Sequence, residues 1–473
     1  MLFSSLEFLY LFLPLTLLLY FTLPLRWRNP VLLVVSLIFY GWGEPVYVFL
    51  MVFTILVDYA AGLLIERAKT DKGRRAWLVT AIVINLALLA FFKYSGFVLD
   101  NLRRIPSLSS LPTFSVPLPI GISFYTFQAL SYVIDVYRRE VKAQKDPVAF
   151  GTYVTLFPQL IAGPIVRYSD VDQQLTDRTH TLLDAAGGAR TFVCGLCKKV
   201  LLANAAGALW AVMRDMPTEQ QTVVGAWFGV ICFTIQIYFD FSGYSDMAIG
   251  LGRMFGFRFP ENFFYPMTAR SVSDYWRRWH ITLSTWFREY VYIPLGGNRR
   301  GAGRTYLNLL IVWALTGLWH GANWNFILWG LYFFVLLAAE RLFLGKLLDK
   351  LPRAVGHVWT LLCVVFSFYI FVFDGSLPTL SGAAAMNYLG VMFAQGGAGF
   401  FGGVTGYELL RNLPLLIICI VGMTPLPKKL FWRAYKKSRV TAWVSVALCA
   451  IGLLLCTAYL VDSSYNPFLY FRF

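Results

Sequence analysis

Residues 316–343 read TGLWHGANWNFILWGLYFFVLLAAERLF and combine a histidine, His320, with a long apolar run at 324–343. A membrane-spanning helix needs roughly 20 mostly apolar residues. Residues 6–25 and 440–461 are similar runs near the two ends of the chain. Because 58% of the 473 residues are hydrophobic and only 14% are charged, the sequence predicts an all-α protein that crosses a membrane many times.

The apolar windows predict about 11 transmembrane helices, within a range of about 10 to 12, in one membrane domain covering 1–473. The net charge of +16 comes largely from short basic loops between these windows. Such loops are typical of the cytoplasmic side of a membrane protein, which explains the charge better than nucleic-acid binding does. The basic loops are 66–75, 138–145, 296–304 and 425–439.

Placing these loops in the cytoplasm predicts a multi-pass protein of the cytoplasmic (inner) membrane with both termini on the extracytoplasmic side. The more acidic segments 216–221 and 374–382 then lie outside as well, and the tail 461–473 is carried outward.

Residues 146–330 contain segments that do not suit a straight membrane helix. Within 157–168, Pro158 and the pair Gly163-Pro164 interrupt an apolar run. Proline removes a hydrogen-bond donor and restricts the residue before it. Irregular backbone at membrane depth persists only where protein buries it or where it lines a cavity. We therefore expect a re-entrant hairpin or a pocket wall here.

Residues 236–252 place Asp240, Tyr244 and Asp246 after an apolar run. A carboxylate near the hydrocarbon is costly unless it faces a cavity or a charged partner. This favours a functional role for Asp240. The alternative is an ion pair at the inner end of a membrane helix, and for Asp246 both interpretations are equally supported.

Residues 271–290 carry apolar side chains at steps of three and four, which predicts one amphipathic helix at the membrane interface. Its apolar face contains Trp276, Trp279, Leu283, Trp286, Phe287 and Tyr290. His280 falls next to this buried face, whereas Arg277 and Arg278 fall away from it.

His280 and His320 are two of only four histidines in the chain. A histidine in apolar surroundings is a hydrogen-bonded structural residue, a metal ligand or a catalytic group. No HxxxH or HxxE spacing occurs, so we expect no metal site. Asn323 and Asn325 follow His320, and polar groups that converge in an apolar setting are typical of a binding site. The residues alone indicate a histidine-dependent membrane enzyme or a transporter.

Several segments, taken together and in order, resemble the membrane-bound O-acyltransferase (MBOAT) family, in its bacterial alginate O-acetylation (AlgI-like) branch. These segments are 118–138, 157–168, 236–252, 255–263, 275–299 and 317–330. The tail 466–473 is similar to tails in this branch and in the related D-alanyl transfer proteins of teichoic acid biosynthesis (DltB).

The resemblance implies many helices around a central membrane tunnel, with re-entrant and interfacial helices and an acyltransferase core at 110–345. His320 matches the catalytic histidine of the family, and His280 matches the second histidine of this branch. The candidates for the donor tunnel are Trp276, Arg277, Arg278, Trp279, Trp286, Asp240, Tyr244, Trp319 and Asn323.

The resemblance also implies an O-acetyltransferase that takes its acetyl group from a cytoplasmic thioester, most simply acetyl-CoA, used as a substrate and not as a bound cofactor. Arginines such as Arg277 and Arg278 can pair with phosphates of that donor. A periplasmic or extracellular partner acetyltransferase would then modify a polysaccharide, either an alginate-type exopolysaccharide or a cell-wall glycan. The alternatives are D-alanyl transfer from a carrier protein to teichoic acid, a polysaccharide transporter or flippase, and a passive scaffold.

Overall fold

A computed structural model describes residues 1–114, 116–375, 378–395 and 399–462. Two predictions concern the tail: its outward course, and the resemblance at 466–473. Both fall on residues 463–473, which lie outside the described residues.

The first half of the chain folds into helices joined by short turns. They are α1 (Leu13–Thr22), α2 (Arg28–Gly43), α3 (Tyr47–Arg67), α4 (Asp71–Arg103), α5 (Ile122–Arg138), α6 (Pro147–Thr155), α7 (Phe157–Leu160), α8 (Tyr168–Thr176), α9 (Leu182–Cys197), α10 (Asn204–Arg214) and α11 (Val223–Met254). Threonine side chains cap two of the longest helices, because Thr70 accepts from the Gly73 amide and Thr222 from the Gly225 amide. Such caps satisfy amides that have no partner inside the helix.

The second half continues in the same way. Its helices are α12 (Val272–Trp276), α13 (Ile281–Phe287), α14 (Ala302–His320), α15 (Trp324–Ala339), α16 (Gly345–Leu348), α17 (Arg353–Val372), α18 (Gly382–Met392), α19 (Gly403–Arg411), α20 (Leu413–Gly422), α21 (Leu426–Lys437) and α22 (Arg439–Asp462). Short π-helical segments extend several of them, for example Lys198–Ala203 between α9 and α10.

Within the described residues, seven helices are long and apolar enough to cross a membrane, or eight if the bent pair α19–α20 counts as one span. They are Tyr47–Arg67, Asp71–Arg103, Leu182–Arg214, Val223–Met254, Trp324–Leu348, Arg353–Val372 and Val440–Asp462. The predicted class, an all-α protein with many membrane passes, is confirmed.

The predicted count of about 11 transmembrane helices is not confirmed. The apolar window 6–25 corresponds to a shorter helical stretch, Phe8–Thr22. A second apolar window, 30–43, corresponds to α2, which has 16 residues. The α19–α20 pair bends by 61°. A sequence window measures apolar length, but it does not show where a helix ends or bends.

The irregular segment 157–168 is broken, as predicted. After α7 the backbone leaves the helix at Ile161 and resumes helical geometry only at Tyr168, the start of α8. Ile161 and Ala162 line the cavity that contains His320. The expected pocket wall is therefore present.

The single helix predicted for 271–290 is wrong. The chain forms α12, then a turn, then α13, and His280 at the end of that turn has a left-handed backbone with φ of 44°. The three- and four-residue spacing arose because two short helices bury their aromatic residues toward the same core. Trp276, Trp279 and Trp286 are all buried, so their inward orientation was predicted correctly.

Helices α14 and α15 form a tight hairpin that positions His320 at the end of α14. A Cβ atom added to Gly317 would lie 2.3 Å from the Phe326 carbonyl oxygen, and one added to Gly330 would lie 2.3 Å from the Trp313 carbonyl oxygen. Only glycine permits this approach of the two backbones, as is common where membrane helices pack closely. Gly321, which follows His320, is packed against the Phe326 ring and does not face a ligand space.

Candidate active site

His320 is buried, and it lines a cavity of about 90 Å³. The wall of this cavity comes from Lys93 of α4, the segment leading into α5 with the first turn of that helix, the broken segment after α7, and the end of α14. Its lining residues are Lys93, Leu118, Pro119, Ile120, Gly121, Ile122, Ser123, Phe124, Ile161, Ala162, Trp319 and His320. Four separate parts of the chain therefore enclose the histidine.

His280 is fully buried and is held by Asn262, a residue that the sequence analysis did not single out. Its Nδ1 lies 3.1 Å from the Asn262 Oδ1 atom. The backbone amide of Thr282 donates to the same oxygen at 3.3 Å, and the Thr282 hydroxyl donates to it at 2.9 Å. Because an NH₂ group does not accept hydrogen bonds, the Asn262 atom that accepts from Thr282 is the carbonyl oxygen of its side-chain amide and not the nitrogen.

The Asn262 contact determines the tautomer of His280. Since Asn262 Oδ1 only accepts, His280 Nδ1 carries the proton and the neutral ring has its lone pair on Nε2. Among the described residues, no group hydrogen-bonds to His280 Nε2. The left-handed backbone at His280 is uncommon for a residue with a side chain, and such conformations concentrate at functional sites.

The Trp319 ring neighbours both histidines. Its centre is 5.8 Å from that of the His280 ring and 5.1 Å from that of His320. A row of aromatic rings runs from Trp319 through Phe127 and Trp286 to Tyr290, with centre separations of 5.7, 3.8 and 5.2 Å. The structure thus brings together four of the predicted residues, His280, His320, Trp319 and Trp286.

Two further predicted tryptophans form the outer aromatic shell of the site. Trp276 packs 5.6 Å from Trp329, which is itself 4.8 Å from the His320 ring. Trp279 packs 6.4 Å from Phe241, and Phe241 lies edge-on to His280 at 4.7 Å. Both tryptophans contact the site through one intervening ring.

Four further predicted residues, like His280 and the three tryptophans Trp276, Trp279 and Trp286, do not line the cavity of His320. Tyr244 stacks on Phe3 at 4.8 Å, Arg278 pairs with Asp274 at 2.9 Å, and Arg277 is exposed. Asp240 forms a buried ion pair with Lys199, at 2.6 Å. The position of Asp240 therefore matches the alternative interpretation, a charge neutralised by a basic neighbour.

The Asp240–Lys199 pair predicts a stability effect. Both side chains are at most 5% exposed, so Asp240→Asn would leave a buried lysine without its counter-ion and should cost about 3–5 kcal/mol of unfolding free energy. Asp246→Asn is the matched control, because Asp246 pairs with Lys198 at the same 2.6 Å but is 32% exposed. That variant should lose at most about 1 kcal/mol. Detergent-based unfolding titrations would measure both, and equal losses would contradict the argument.

Asn323, the last predicted residue, lines a second and more polar cavity of about 370 Å³. Its side chain donates to the Asp374 carbonyl oxygen. The other lining residues are Phe92, Lys93, Ser95, Gly96, Phe97, Asp100, Asn101, Arg104, Phe114, Val116, Ala322 and Trp324. Lys93 belongs to both cavities, and the sequence analysis missed it. The sequence feature that could have identified Lys93 is its position as a charged residue directly after the apolar run 76–92.

The other two histidines lie elsewhere. His180 contacts the Tyr20 hydroxyl at 3.3 Å, and burial together with Arg28 and Arg178 lowers the pKa of His180 to about 4. His357 Nδ1 is 3.0 Å from the Ala269 carbonyl oxygen. In the part of the chain that the structure describes, no group of three or more His, Cys, Asp or Glu side chains is placed to hold a metal ion.

Comparison with known proteins identifies the family. Residues 143–383 match the sequence model of the membrane-bound O-acyltransferase family. The chain is 41% identical to the protein of Pseudomonas putida named "Probable alginate O-acetylase AlgI", over the full length of both. The chain belongs to the membrane-bound O-acyltransferase family. The predicted resemblance is confirmed, and the MBOAT protein described here is an O-acyltransferase.

Two more distant relatives show the breadth of the MBOAT family around this chain. A peptidoglycan O-acetyltransferase of Helicobacter pylori is 31% identical, over 100% of this chain and 98% of that protein. A teichoic acid D-alanyltransferase of Bacillus subtilis is 26% identical, over 60% of this chain and 76% of that protein. The family consists of enzymes. The two alternatives of a transporter and of a passive scaffold therefore do not describe this chain.

Proposed function

We propose that this protein is a cytoplasmic-membrane O-acetyltransferase that uses acetyl-CoA and acts, with an extracytoplasmic partner protein, in the O-acetylation of a polysaccharide. The observation that carries the proposal is the burial of His320 in a small cavity beside Trp319 and His280. A cavity of about 90 Å³ has room for a two-carbon acyl group beside His320. The names of the two most similar relatives cited above support an acetyl group and a glycan acceptor.

His320 acts as the general base in this proposal. The acceptor oxygen bonds to the acyl carbon while its proton moves to the imidazole, and the carbonyl electron pair moves onto the carbonyl oxygen. When the carbonyl re-forms, the carbon–sulfur bond breaks, and the departing thiolate takes the proton from the imidazolium. His280, with its Nε2 lone pair available, assists as a proton acceptor or by orienting a reacting group.

The donor enters from the cytoplasm along the aromatic row that ends at Trp319. Tyr290, at the far end of this row, hydrogen-bonds to Asp135 at 2.9 Å, and the Arg138 guanidinium lies 5.2 Å from the Tyr290 ring centre. The basic loop 296–304 follows soon after in sequence, which supports a cytoplasmic position for this end. Aromatic walls would exclude water that otherwise hydrolyses the thioester.

The acceptor approaches from the opposite side, through the polar cavity. Helix α4 starts directly after Lys69 and Thr70 in the basic loop 66–75, and the polar cavity surrounds the other end of α4, near Asp100 and Arg104. If the basic loops are cytoplasmic, the polar cavity is extracytoplasmic, and so is the N-terminus. A hydroxyl group of the partner protein would reach His320 from there.

The test uses purified protein in lipid nanodiscs with radiolabelled acetyl-CoA and, in parallel, a carrier protein charged with D-alanine. Hydroxylamine cleaves acetyl-CoA slowly without an enzyme, so rates are taken above the enzyme-free rate. On that scale wild type should release CoA and transfer label to hydroxylamine or to the partner, and His320→Ala should not. Reaction with the carrier-bound D-alanine only would overturn the acetyl-CoA donor. Equal reaction of wild type and His320→Ala would overturn the placement of the active site.

A further inference from the structure

Lys93 lines both of the cavities described above. It lines the small cavity with His320 and also the polar cavity with Asn323 and Asp100. Lys93 therefore lies at the boundary between the polar cavity and the cavity of His320. No residue of the sequence-derived site has this position.

The contacts of the Lys93 ammonium fix where it lies. It donates to the carbonyl oxygen of Trp319, which belongs to the peptide bond leading into His320, and lies 3.3 Å from the Ser123 hydroxyl. An ammonium group has three donors, so these two contacts leave one for a group in the cavity. The Trp319 ring is 5.9 Å away.

The charge of Lys93 is not neutralised by an acid. None of the ion pairs among the described residues includes Lys93. Asp100, the carboxylate that shares its polar cavity, instead pairs with Arg103, at 3.8 Å. A half-buried cation in a membrane helix that has no counter-ion among the described residues marks a candidate functional position. It also stabilises strongly any negative charge that develops next to it.

We infer that Lys93 is a further catalytic residue, whose ammonium stabilises the oxyanion formed on the acyl carbonyl when the acceptor hydroxyl attacks. This inference rests on the proposed function, because it assumes acyl transfer beside His320. The electron pair displaced from the carbonyl bond resides on the oxygen next to the ammonium, and it returns to re-form the carbonyl when the carbon–sulfur bond breaks. The lysine keeps its proton throughout.

The experiment compares three replacements of Lys93 in nanodiscs, using CoA release with acetyl-CoA and excess hydroxylamine. Lys93→Gln and Lys93→Arg both retain a donor for the Trp319 carbonyl oxygen, but only Lys93→Arg retains the charge. Lys93→Gln and Lys93→Met should lower kcat about 10²–10³-fold, the cost of losing one oxyanion donor. The KM for acetyl-CoA should change little, and Lys93→Arg should keep most of the activity.

Two results would overturn the inference. One is a Lys93→Gln variant with the kcat of wild type, which would reduce Lys93 to a hydrogen-bonding residue. The other is a loss confined to the macromolecular acceptor, with normal transfer to hydroxylamine, which would make Lys93 an acceptor-binding residue. If Lys93→Met fails to fold, the comparison of Lys93→Gln with Lys93→Arg still shows whether the charge at position 93 is needed for catalysis. Failure of wild type to exceed His320→Ala would instead refute the proposed function, so the two failures are distinguishable.

Discussion

Replacing His320 by glutamine should lower kcat for acyl transfer about 10²–10⁴-fold, the usual contribution of a general base. Glutamine is similar in size to histidine and can hydrogen-bond, but it does not take up a proton near neutral pH. His320 is enclosed by α4, by the end of α14 and by the segments around Ser123 and Ile161. A substitution of similar volume should therefore leave the fold intact. CoA release with saturating hydroxylamine, after subtraction of the enzyme-free rate, measures kcat, and thermal unfolding in detergent checks the fold.

The matched control is His357→Gln, a half-buried histidine of α17 whose Nδ1 contacts the Ala269 carbonyl oxygen. Its activity should stay within about two-fold of wild type, as for most replacements away from the functional site. The double variant His280→Gln/His320→Gln should be little worse than His320→Gln alone, because catalytic groups that act together are not additive. A His320→Gln enzyme with wild-type kcat would mean that the histidine is structural.

The sequence predicted those features of the site that depend on local pattern. Apolar windows identified a membrane protein, and the tryptophans near the two histidines were correctly expected to be buried. Proline and glycine at 157–168 correctly indicated a broken segment. The residues that contact the histidines from distant parts of the chain could not be found in this way.

Asp240 and Lys93 show where local reasoning stops. A carboxylate in an apolar segment is either functional or paired, and only the packing of Lys199 against Asp240 at 2.6 Å distinguishes the two. Lys93 directly follows an apolar window, where a lysine commonly extends its charge to the membrane surface. Its contact with the Trp319 carbonyl oxygen joins helices α4 and α14, which are far apart in sequence.

Asn262 lies outside the predicted set, and its replacement should lower both the stability and the activity of the protein. Asn262→Leu removes the acceptor of His280 Nδ1, of the Thr282 amide and of the Thr282 hydroxyl, and the donor to the Ser245 hydroxyl. Each buried polar group left without a partner costs about 1–3 kcal/mol. The freed His280 ring should also lose its orientation, and a misplacement of about 1 Å can lower the rate about 10²-fold.

Asn262→Asp separates orientation from stability. The carboxylate still accepts from Thr282 and from His280 Nδ1 and loses only the donor to the Ser245 hydroxyl, so the variant should lose less stability than Asn262→Leu. A negative charge beside His280 favours the imidazolium, which has no lone pair on Nε2. The variant should therefore be less active than wild type at neutral pH and should recover as pH rises and the imidazolium loses its proton. Rates of CoA release across the pH range measure this. An Asn262→Asp profile identical to that of wild type would mean that the Nε2 lone pair of His280 takes no part in the reaction, and Asn262 would then serve only to hold the turn before α13.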